Sequence, residues 1–72
     1  MTYELTDSEK VAVVNSHLKN LEQNKYNIEL SLIQENALDN PVQSVVDSLN
    51  SQLADIASKK TALLAELSSL EG

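Results

Sequence analysis

The chain has 72 residues, with five lysines, no arginine, eleven acids and a net charge of −6. Such a length holds one domain, residues 1–72, at the lower limit for an independent core, and the negative charge opposes both a phosphate backbone and an anionic membrane surface. Without cysteine there is no disulfide framework or thiolate metal site, and with glycine only at Gly72 there is no phosphate-cradling loop.

The N-terminal "MTYELTDSEK" has no basic region followed by an apolar run, so it predicts no secretory signal. No apolar run approaches the ~18 to 20 residues that span a bilayer. The expectation is a soluble, cytoplasmic protein that binds no membrane.

The first element is announced at "TDSE", where Thr6 can cap the backbone and Glu9 can reach back in a capping box. Asp7 and Glu9 also put negative charge in the first turn, where the helix dipole favours it. Val11, Val14, Leu18, Leu21, Lys25, Ile28, Leu32 and Glu35 then recur at alternating spacings of three and four. That pattern predicts a helix over about residues 7–38, with one seam interrupted at Lys25 and Glu35.

A second seam follows in Val42, Val46, Leu49, Leu53, Ile56, Lys60, Leu63, Leu67 and Leu70. It predicts a helix over about residues 41–70, with Asn40 as N-cap, Pro41 in the first helical position and Gln43 closing a second capping box. Between the two, "LDNP" either turns the chain at about residues 39–40 or kinks one long helix. The heptad phase runs through unchanged, which suits a continuous helix. However, Glu35 and Asp39 would then be charged seam residues, and Pro41 inside a helix costs about 3 kcal/mol and disfavours a helical Asn40. The reading is therefore all-α, an antiparallel two-helix hairpin of coiled-coil type.

A hairpin does not use every apolar residue. Tyr26, Leu30, Ile33 and Ala37 form a second row on the first helix, and Val45, Ala57 and Leu64 flank the seam of the second. One partner helix cannot cover both rows, and apolar flanking positions point to bundles of more than two helices. The expectation is self-association, most simply two hairpins in a four-helix bundle, through Tyr26, Leu30, Ile33, Ala37, Val45 and Leu64. Another protein on the same face is the alternative.

Catalytic and metal constellations are thin. His17 is the single histidine and has no acid three or four residues away, the spacing that helical metal sites use. The acids Glu4, Glu22, Glu29, Glu35, Asp47, Asp55, Glu66 and Glu71 are dispersed along two rods, without a pocket to split their pKa values. "DNPVQ" places proline and valine where a calcium loop needs ligands. No enzyme, cofactor or metal is expected.

A two-residue turn would set Lys19 beside Lys59 and Lys60, with His17 nearby. That weak basic patch is the basis of an RNA-binding alternative, but it lacks arginine and a stacking aromatic, so no nucleic-acid partner is expected. Lys25 and Lys60 interrupt the seams. Lys25 has Glu22 and Glu29 at pairing distances on its own helix. Lys60 has no such acid and must reach water or another helix, with Glu22 the nearest candidate by level. A polar residue at such a position typically lowers stability and rejects wrong registers.

The segments "YELTDSEK", "HLKNLE" and "NIELSLIQENAL", followed by a proline-marked turn, resemble small helical-hairpin proteins encoded by T4-like marine cyanophages. The resemblance covers nearly the whole chain. It implies a virus-encoded helical hairpin in the host cytoplasm, and it carries no catalytic or binding residues across. The combined expectation is a non-enzymatic structural or protein-interaction module, with a partner-binding adaptor or small assembly chaperone as the alternative.

Overall fold

Thr6 starts the first helix as its sequence requires. In the computed structural model, which describes residues 4–72, the Thr6 hydroxyl accepts from the Glu9 N–H at 3.2 Å, and the Glu9 carboxylate accepts from the Thr6 N–H at 3.0 Å. Helix α1 then runs over Asp7–Asn36 and helix α2 over Gln43–Glu71. The two pack against each other as a hairpin, and no strand occurs among the described residues.

The seams are where the spacing puts them. Val14 and Ile56 are the buried residues, at 8% and 7% exposure. Val11, Leu18, Leu21, Ile28, Leu32 and Glu35 on α1 are half-buried, as are Val46, Leu49, Leu53, Lys60, Leu63, Leu67 and Leu70 on α2. Lys25 and Val42 break the pattern and are exposed. Polar residues elsewhere on the helices satisfy themselves locally. Ser31 and Thr61 donate their hydroxyls to the carbonyls of Asn27 and Ala57, at 3.1 and 3.0 Å.

The turn differs from the expected two residues. It takes six, Ala37 to Val42. Asn40 is not the N-cap, Pro41 is not the first helical residue, and Gln43 closes no capping box. Val42 holds the cap position in an extended conformation, with no side-chain cap bond of its own. Gln43 instead donates to Asp47 at 2.8 Å within α2.

The physical reason lies on the other helix. The Glu35 carboxylate accepts from the Val42 N–H at 2.9 Å across the turn. α2 has no acid in its own first turn, so Glu35 supplies the negative charge that its dipole favours. Packed helices lie ~8 to 10 Å apart, and an extended Val42 helps the chain cross that gap. No described residue takes positive φ, so the turn needs no glycine.

The hairpin is a rod of 59 × 19 × 18 Å with a radius of gyration of 16.8 Å. A compact chain of this length would have a radius of about 11 Å. The elongation follows from 30- and 29-residue helices lying side by side.

Removing the cross-turn acceptor tests this account. Glu35→Ala is expected to cost about 1 kcal/mol, the usual loss for a cap. That lowers the melting temperature by roughly 4 to 8 °C in a domain of this size. Glu35→Gln keeps an acceptor oxygen and should lose less. Thermal melts followed by circular dichroism decide it, and an unchanged Glu35→Ala melt would show that the turn does not depend on this bond.

Candidate functional site

Three features stand out on the rod: an interhelical ion pair, a shallow groove and an apolar row on α1. The ion pair joins the Lys60 ammonium on α2 to the Glu22 carboxylate on α1. Lys60 has only Ile56, Ala57, Leu63 and Leu64 at pairing distances on its own helix, so it reaches across the seam. Both side chains keep 39% and 47% of their surface in water. The Lys60 hydrogen bond, and then its charge, hold the Glu22 carboxyl below its ordinary value against a small opposing effect of desolvation.

Lys25 adds a weaker lowering effect on Glu22 from a distance. It is exposed and makes no ion pair of its own, so the expected pairing with Glu22 and Glu29 along α1 is not formed. Glu22 serves the other helix instead.

The ion pair also reports the register. Lys60 pairs with Glu22, and the six-residue turn is centred where a two-residue turn at residues 39–40 would be, so it leaves the register of the helices unchanged. His17 and Lys59 do line one shallow groove of about 450 Å³, together with Asn20, Leu21, Asn24, Ala62 and Leu63. Lys19 is outside it and Lys60 is engaged by Glu22. Of His17, Lys19, Lys59 and Lys60, His17 and Lys59 share this groove.

The apolar row faces away from α2. Tyr26 and Ile33 are exposed at 62% and 64%, and Leu30 between them is half-buried. Ala37 ends the row as the C-cap of α1, with its N–H bonded back to the Ile33 carbonyl at 3.0 Å. Val45 and Leu64 are also exposed. Val45 precedes the seam residue Val46 and Leu64 follows the seam residue Leu63, so they lie on opposite flanks of α2. The six residues do not form one continuous face. The turn end adds Leu38 and Val42, and the open end adds Leu5 and Val13, all at least two-fifths exposed. Val42 is the expected first residue of the α2 seam but precedes the helix, whereas spacing did not single out Leu5, Val13 or Leu38.

No group of three or more His, Asp or Glu side chains is positioned to hold a metal ion among the described residues. His17 makes no hydrogen bond or ion pair. No helix among the described residues is long and apolar enough to cross a membrane. Comparison with protein-family models, with curated proteins and with solved structures finds no match.

Replacing Lys60 separates its two roles. An exposed ion pair is screened by water and contributes little, whereas a leucine half-buried at the seam contributes about 1 kcal/mol. Lys60→Leu is therefore expected to raise the melting temperature at neutral pH by several degrees. It should also raise the Glu22 titration midpoint, read by carboxyl-carbon NMR. Because the folded value is the lowered one, the Glu22 contribution is present above an unfolded value of about 4.3 and is lost as pH falls through the folded value. A Glu22 midpoint unmoved by Lys60→Leu would rule out the pair in solution.

Proposed function

We propose that this chain is a non-enzymatic structural or protein-interaction module that self-associates through its exposed apolar helix faces. Its simplest form is two hairpins making a four-helix bundle. The observation that carries this reading is the exposure of Tyr26 and Ile33, at 62% and 64%, beside a core of only Val14 and Ile56 among the described residues.

The areas support it. The chain exposes 5454 Å² of surface, whereas a compact monomer of 7.9 kDa exposes about 4,400 Å². The excess, roughly 1,000 Å², is close to what each partner gives to a standard interface, about 800 Å². Tyr26 and Ile33 leave their hydrophobic stabilisation unrealised, and a second copy would recover it.

The same reading would suit the virus-encoded, cytoplasmic helical hairpin that the sequence resemblance implies. An adaptor or small assembly chaperone would place another protein on the face now assigned to a second copy.

Sedimentation at micromolar concentration is expected to show a dimer or larger species. Leu30→Asp combined with Ile33→Asp should shift it to monomer, or lower the melting temperature where folding depends on assembly. A well-folded wild-type monomer, with a melting temperature indifferent to both changes, would overturn self-association and favour the adaptor.

A further inference from the structure

The outward face of α1 carries charge as well as apolar side chains, and its order along the helix is specific. Lys19, Tyr26 and Ile33 recur at intervals of seven, and Leu30 sits between the last two. At 100° per residue these four share one stripe. Lys19, Tyr26 and Ile33 are all exposed in the hairpin. Past the stripe, the turn presents Asp39, also exposed.

The whole rod repeats this order. With Lys60 level with Glu22, four of the five lysines, Lys19, Lys25, Lys59 and Lys60, fall in one belt near the middle of the rod. The half toward the turn holds Glu29, Glu35, Asp39, Asp47 and Asp55 and no lysine. The open end is acidic again, with Glu4, Asp7, Glu9, Glu66 and Glu71 around Lys10. Two copies placed parallel and in register would set like charge on like charge along their length. So would an antiparallel pair centred on the belt.

We propose that the partner of this face is a second copy, antiparallel and displaced toward the turn, with the two-fold axis passing near Leu30. This rests on the self-association reading above and specifies its geometry. Leu30 meets the partner's Leu30, and Tyr26 packs on the partner's Ile33 in both directions, as an isologous contact requires. The same axis brings Lys19 to the level of the partner's Asp39. It also brings the acidic turn half of each copy to the level of the other's lysine belt. The apolar stripe and the charge order are separate features of the chain, and one displacement satisfies both. Complementary potentials of this kind fix register and suppress wrong pairings.

The absence of native cysteine makes the geometry directly readable. Tyr26→Cys and Ile33→Cys are prepared as separate variants and checked for unchanged helicity by circular dichroism. They are then mixed in equal amounts, oxidised in a glutathione buffer and quantified by mass spectrometry. The proposal expects the mixed disulfide to exceed its statistical share. A predominance of the Tyr26→Cys homodisulfide would indicate parallel copies, and a statistical or negligible yield would indicate another face; either overturns the arrangement while leaving self-association standing. A monomeric wild type in sedimentation would instead remove both. As a second measure free of cross-linking, Lys19→Glu and Asp39→Lys should each weaken dimerisation several-fold, and the double variant should restore it. Additive losses in the double variant would overturn the pairing of these two positions.

Discussion

Two helices side by side can each bury only one stripe, and most features of this chain follow from that limit. The stripes are made of leucine, isoleucine and valine, because no tryptophan or phenylalanine is available to fill more volume. Even at the seam, Val14 and Ile56 alone fall below one-tenth exposure among the described residues. Thin burial spread over long helices is how the chain offsets its conformational entropy. The same limit leaves Tyr26 and Ile33 on α1 exposed.

A hairpin also brings the C-terminal end of one helix against the N-terminal start of the other, and the turn exploits this. α2 begins without an acid in its first turn and without a capping side chain at Val42. α1 ends without a base in its last turn but with Glu35 there. Seen within α1 alone, Glu35 is a misplaced charge at a seam position and an unfavourable one at a helix C-terminus. Across the turn it becomes the acceptor for Val42 and the favourable charge at the start of α2. One carboxylate thus joins two helix ends and gives the connection its shape.

What could be read from residues alone was whatever depends on neighbours in sequence. The Thr6–Glu9 capping box, the two helices and almost every seam residue are local or periodic, and spacing specifies them. The turn departs from the local reading because Asn40, Pro41 and Gln43 form a plausible local start, while the acceptor that prevails, Glu35, sits seven residues back on the other helix. The partner of Lys60 was nevertheless identifiable, because excluding its own helix left few acids near its level. The pairing of Lys25 along α1 failed because Glu22 has a better-placed partner.

The register has a consequence beyond the hairpin. In a chain of net charge −6, dispersed lysines would simply reduce repulsion everywhere. In the hairpin, Lys59 and Lys60 instead fall in the same middle section as Lys19 and Lys25, with Lys60 paired to Glu22, which concentrates the positive charge in one short belt. Moving one helix along the other by a heptad would keep apolar residues opposite one another, because both seams repeat every seven. It would carry Lys60 away from Glu22 and divide the belt. Hydrophobic packing brings the two helices together, the six-residue turn limits how far they can slip, and the Lys60–Glu22 pair adds to the selection among near-equivalent registers. An exposed ion pair that adds little to stability can still make that selection, because it needs only to exceed the small difference between alternatives whose apolar contacts are nearly the same.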